Sequence, residues 1–147
     1  MDDNPRTGLR LRCEKCVSPE VRTVCIKFCK WLRTQIDFPI RLVIYLKKDY
    51  QIRNNTTKEM VSATFFAPYD KDVEPYIRIA TGDYDELIKE RGKKDALYAM
   101  LDSVAHEIIH YQQWLEDKEL NEEDAEELGY TMVDRYSETI SSILDLL

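Results

Sequence analysis

The sequence predicts an α+β domain: an N-terminal helix, a short three-stranded sheet, a histidine-bearing helix and a glutamate-bearing C-terminal helix. Two observations carry this prediction. Apolar residues recur at helical spacing near the start of the chain and again over its last third, and three short β-rich runs lie between. A third observation bounds it. At 147 residues, 44% hydrophobic and 33% charged, the chain can bury a core of its own and has the balance of a soluble globular protein, so residues 1–147 read as one domain.

Residues 1–12 have no apolar periodicity and read as a loose arm. The start, Met1-Asp2-Asp3-Asn4-Pro5, lacks the charged-then-apolar layout of a secretion signal, and no apolar run is long enough to span a bilayer. A cytoplasmic protein without a membrane partner is the expectation. Over residues 19–36, Val21, Val24, Cys25, Phe28, Leu32 and Ile36 make one helical stripe, ended by Phe38-Pro39. Residues 40–46 are β-rich and predict a strand. Residues 47–59, with Asn54-Asn55-Thr56-Thr57, read as a polar turn, and residues 61–66 as a second strand stopped by Pro68. Over residues 76–81, Ile77 and Ile79 alternate with Arg78 and Ala80, which predicts a third strand, broken by Gly82-Asp83. Its position suggests a sheet edge to which an extended peptide could add. Residues 84–91 form a short helix stopped by Gly92, and two long helices follow, over about 94–115 and 122–146, with a polar hinge at 116–121. The last helix carries the stripe Ala125, Leu128, Met132, Val133, Tyr136, Ile140, Ile143 and Leu144.

Charge is uneven along the chain. Residues 1–60 hold 13 Lys and Arg against 7 Asp and Glu, whereas residues 61–147 hold 8 against 21, which together give the net −7. The basic half could meet an acidic partner, but a charged face is ordinarily a solvated one, so nucleic-acid binding is kept as a secondary reading.

The chemistry concentrates in one helix. His106-Glu107-Ile108-Ile109-His110 is an H-E-x-x-H run that uses both histidines of the chain. Positions i and i+4 lie one turn apart on the same helical face, so two imidazoles can grip one ion. Glu107 sits one step round, where its carboxylate can take a proton from water activated by that ion. The bland reading is an amphipathic helix carrying two histidines on its flank, since Leu101, Val104, Ala105, Ile108 and Ile109 form an ordinary core stripe.

A catalytic zinc site needs a third protein ligand and an open position. With no third histidine, a carboxylate from the following helix is the natural candidate. Glu122 and Glu126 share the arc of Val133, Ile140 and Leu144, while Glu123, Asp124 and Glu127 point the other way with Asp134, Glu138 and Asp145. A carboxylate facing the core is costly unless a cation or donors meet it. Glu122 is the preferred ligand, with Glu126 bonding the back of a ligand histidine. A tight return of the hinge would instead bring Glu126 level with the histidines.

Cys13, Cys16, Cys25 and Cys29 could hold a structural zinc through four thiolates. However, Cys25 and Cys29 already belong to the first helix's stripe, so packed thiols are the simpler reading and a disulfide the least apt.

His106-Glu107-Ile108-Ile109-His110 followed by Glu122-x-x-Ala125-Glu126 resembles the gluzincin group of zincin-like metallopeptidases, in particular the minigluzincins and ImmA/IrrE-type proteases. The resemblance covers residues 106–126 and has one departure, Glu126 where Asp or Asn is usual. It implies a small zincin-like fold, Zn²⁺ held by His106, His110 and Glu122, Glu107 as the catalytic carboxylate, and hydrolysis of a peptide or protein substrate. For the oxyanion donor, Tyr111, Tyr84, Tyr130 and Arg78 are the candidates. Two other classes compete: a catalytically silent zincin-fold module that binds metal and a protein partner, and a nucleic-acid-associated protein. A His₂-carboxylate set also accepts divalent ions other than zinc.

Overall fold

The computed structural model describes residues 6–147. Helix α1 (Pro19–Gln35) begins where the Ser18 hydroxyl accepts the Glu20 N–H at 3.3 Å, with Pro19 in the first turn and Glu20 facing the helix dipole. It ends at Ile36, which turns extended ahead of Phe38-Pro39.

The sheet departs from the prediction in three ways. It has four strands, in the order β1 (Leu9–Cys13), β2 (Leu42–Lys47), β6 (Tyr76–Ala80), β5 (Ala63–Phe66). β1, β2 and β6 run parallel, and β5 runs antiparallel to β6. First, the loose arm expected over residues 1–12 is partly strand: Leu9 is fully buried, and Leu9, Leu11 and Cys13 pair with Leu42, Ile44 and Leu46 on the core face. Residues 1–5 of that expected arm lie outside the described residues. The alternation Leu-Arg-Leu-Arg-Cys is a two-residue period, invisible to a search at helical spacing. Second, the polar turn at 47–59 contains β3 (Ile52–Arg53), which forms a hairpin with β4 (Met60–Val61) around an Asn54 turn whose Oδ1 accepts from Thr56 and Thr57. Third, β6 is an interior strand, bonded on both sides, so it cannot accept a peptide; the edges are β1 and β5.

Helix α2 (Tyr84–Arg91) meets α3 (Lys93–Leu115) at Gly92, whose φ of +86° lets the chain reverse in a single residue. α3 is the central element. Ala96, Leu97, Leu101, Val104, Ala105 and Ile108 are buried in one core with the α1 stripe and with Leu42, Ile44, Leu46, Ile77 and Ile79 of the sheet. Tyr111 is fully buried, bonds the Ile40 carbonyl through its hydroxyl and stacks on Phe38 at 5.6 Å. α3 closes through Asp117 in the left-handed region (φ +57°), with the Lys118 N–H returning to the Gln113 carbonyl at 2.9 Å. The hinge then leads into α4 (Glu122–Ser137), which lies along α3.

α4 stops at Ser137 rather than running to residue 146. The Ser137 and Thr139 hydroxyls bond the Asp134 and Tyr136 carbonyls at 2.6 and 2.7 Å, competing with the helical ladder. A single-turn 3₁₀ helix (Ile143–Leu146), capped by Ser142, brings Ile143 back to the core. Among the described residues no helix is long and apolar enough to cross a membrane.

Candidate metal centre

α3 and α4 approach closely because position 129 is glycine. A Cβ there would stand 3.1 Å from the His106 backbone nitrogen, tighter than van der Waals contact allows without movement. Gly129 shares the buried face of α4 with Ala125, Val133 and Tyr136, and this seam sets the start of α4 against His106 and His110.

The donor atoms of His106, Glu107 and His110 lie within 4.8 Å of one another. Glu122 joins the two imidazoles: its Oε2 accepts from His106 Nε2 at 2.8 Å, and its Oε1 lies 2.9 Å from His110 Nε2. Four ligands on a tetrahedral ion with bonds near 2.0–2.1 Å stand about 3.3 Å apart, so small outward movements would seat a cation among these atoms. The Glu122 side chain is 78% exposed, so its place in the set comes from the hinge and the helix start, not from the core-facing stripe expected of it.

The tautomer of His110 decides what the pair can bind. Gln113 Oε1 accepts the Asn121 N–H at 3.1 Å, and Gln113 Nε2 donates to the Asn121 carbonyl at 3.2 Å. Its oxygen therefore also faces His110, and His110 Nδ1, 2.8 Å away, must be the donor. That leaves Nε2 as the nitrogen facing the Glu122 carboxylate. Although 2.9 Å apart, the two are not aligned for hydrogen bonding; Nε2 is a buried nitrogen without a hydrogen-bond partner. A cation between this orphaned nitrogen and the carboxylate would satisfy both. The residues therefore fit a divalent ion with one carboxylate and two imidazoles.

Gln113, not Glu126, bonds the back of His110. Glu126 instead accepts from Tyr130 Oη at 3.3 Å. Its phase put it on the cleft side of α4, but one turn beyond Glu122, where it bonds Tyr130. Gln113 escaped the sequence reading because a neutral amide carries no charge cue; its one signal was its place three residues after His110 on the same face.

Glu107 is 5% exposed, and its Oε2 has no hydrogen-bond partner. Burial, and then the negative charge of Glu122, push its carboxyl up to about 8. For Glu122 itself burial acts upward, but the hydrogen bond from His106 and the electrostatic pull of the two rings beside it outweigh it and hold the carboxyl below its ordinary value.

A cleft of about 780 Å³ opens over these residues. Its floor is the α3 face Ala99, Asp102, Ser103, His106, Glu107 and His110; Glu122, Glu126 and Tyr130 form one wall, and Ala63, Thr64 and Phe65 of edge strand β5 the other. Of the four candidate oxyanion donors, Tyr130 alone lines this cleft. Tyr111 is spent on Ile40 in the core, Tyr84 donates to Glu20 at 3.0 Å on the far side of α3, and Arg78 donates to the Arg53 carbonyl at 2.7 Å beneath the hairpin. The cysteines lie elsewhere: Cys25 and Cys29 are buried in the α1 stripe, Cys13 is half-buried at the end of β1 and Cys16 is exposed. Burial drives the Cys25 thiol well above its ordinary value, and Cys29 up to about 12 despite Arg33.

No protein-family model, curated protein or solved structure matches the chain.

Proposed function

We propose that the chain is a zinc-dependent metallopeptidase of the gluzincin kind. The observation that carries this reading is the buried His110 Nε2, which has no hydrogen-bond partner although it lies 2.9 Å from the Glu122 carboxylate, beside an equally orphaned Glu107 Oε2. His106, His110 and Glu122 would hold the ion, which supplies acidified water and polarises the scissile carbonyl when bound. Glu107, buried against the same position, takes the proton of the attacking water and delivers it to the leaving amine. The substrate backbone lies along the free edge of β5 as an added strand, which points its scissile bond across the α3 face. Tyr130, at the rim, is placed to donate to the developing oxyanion once it leaves Glu126. A cytoplasmic setting suits four unpaired thiols.

The test joins metal analysis to turnover. The native chain should carry one equivalent of zinc, His110→Ala and Glu122→Ala should lose it, and Glu107→Gln should keep it while cleavage of a mixed peptide library stops. Cleavage that persists in Glu107→Gln, or a native chain that ignores zinc, would overturn the reading.

A further inference from the structure

The sheet has a second face. Leu42, Ile44, Leu46, Ile77 and Ile79 are buried against α1 and α3, and their alternates on β1, β2, β6 and β5 point the opposite way. The strand registers align them in two rows, Arg10–Val43–Tyr76–Phe66 and Arg12–Tyr45–Arg78–Thr64. Among the described residues, cover on this side comes from the β3–β4 hairpin, which closes over the Arg78 end. Thr64 is buried and Val43, Tyr45, Tyr76 and Arg78 are half-buried, leaving Arg10, Arg12 and Phe66 exposed. Parallel strands are ordinarily covered on both faces, so three with only a short hairpin over one face are unusual and mark a surface with a partner.

The side chains left there define the partner's chemistry. Phe66, 42% exposed, stacks on Tyr76 with centroids 4.9 Å apart, and Tyr45 meets Tyr76 edge-on at 6.0 Å, which makes a ribbon of three rings across the strands. Arg10 and Arg12 are exposed beside it, and among the described residues neither has a carboxylate within ion-pair distance. Leaving out α1, which lies across the sheet, residues 6–18 and 36–53 hold 8 Lys and Arg against 3 Asp and Glu, in a chain whose net charge is −7. Cationic fork groups beside a flat aromatic ribbon match a ligand with regularly spaced anions and planar bases. An acidic peptide offers the charge without the planes.

We propose that this face binds single-stranded nucleic acid, with bases stacked on Phe66, Tyr76 and Tyr45 and phosphates held by Arg10 and Arg12. The site is separate from the histidine cleft and stands whether or not the chain is a peptidase. Sequence preference is not part of the proposal, since stacking on rings accepts any base.

Fluorescence anisotropy of the full chain with a labelled oligothymidylate at low salt tests it, with a base-free oligomer of the same backbone and a polyglutamate as parallel probes. Oligothymidylate should bind and weaken as salt rises, and the other two should bind far less. Phe66→Ala should weaken binding roughly tenfold, and Arg10→Ala with Arg12→Ala should lower the slope of log affinity against log salt by about 1.4. Thermal melting of each variant reports whether it remains folded; all three positions are exposed, so it should. The proposal fails if oligothymidylate does not bind at low salt, if polyglutamate or the base-free oligomer binds equally well, or if folded variants bind as the parent does.

Discussion

Replacing Glu107 by Gln in the metal-free chain tests the electrostatics of the centre apart from any turnover. The Glu107 carboxyl titrates near 8 in the folded protein against an ordinary 4.5, because burial and Glu122 both disfavour its charge. The folded state therefore holds a proton that the unfolded state has lost between those two values, and stability falls as pH rises from about 4.5 to about 8. A carboxyl raised from 4.5 to about 8 corresponds to a loss on the order of 4–5 kcal/mol by pH 9. Gln is a neutral isostere of the protonated form and escapes the loss. The two proteins should melt together at pH 4.5. Above pH 8 Glu107→Gln should be the more stable, by about 10 °C for a chain of this size at roughly 2–4 °C per kcal/mol. Asp102, pushed up to about 6 by burial and then by Asp134 against the pull of Arg91, titrates in the same window but is common to both proteins and cancels in the difference. Differential scanning calorimetry with chelator across pH 4.5–9 measures it. A difference in melting temperature that does not grow with pH would show that Glu107 carries no desolvated charge. Zinc should remove the advantage of Gln, because a cation beside Glu107 favours the ionised form.

Gln113→Ala should weaken zinc binding about 10–100-fold, by freeing His110 to turn and to move its proton, whereas Glu126→Ala should leave the zinc affinity unchanged; competition with a chromogenic chelator separates the two. Gly129→Ala should destabilise the chain by about 1–2 kcal/mol despite the better helix propensity of Ala, since the new Cβ meets the α3 backbone, and urea unfolding would register it. Metal analysis of Cys25→Ser should return the same zinc content as the parent, while its melting temperature drops with the burial of a hydroxyl in the α1 core.

Much of the frame was legible because its signals are local. The α1 stripe, the Tyr84–Arg91 helix and the Gly92 reversal follow from apolar spacing and one residue's conformational freedom. His106, Glu107 and His110 share a helical face by spacing alone, and the short hinge brings Glu122 beside them. Longer-range features were not legible. β1 gains its order only from pairing with a strand some thirty residues away, so its short Leu/Arg alternation looks like a tail when read alone. The interior place of β6 depends on the return of β5, which no residue of β6 announces. The end of α4 is set by hydroxyls capturing carbonyls, a competition that an apolar stripe through Ile140 and Leu144 conceals. Glu122 was reached by assigning it to the buried face; it sits instead at an exposed helix start, and the histidines rather than the core hold it.

If the centre takes an ion, the Gln113 bracket has a consequence for how the chain would respond to its scarcity. One amide grips both the ring that faces the centre and the backbone from which α4 departs, so an ion held at His110 would steady the hinge as well. Under chelation the residue 116–121 segment should loosen first, exchanging its amides and admitting proteases before the rest of the molecule opens. The abundance of the protein would then follow the supply of its ion, with no separate sensor required.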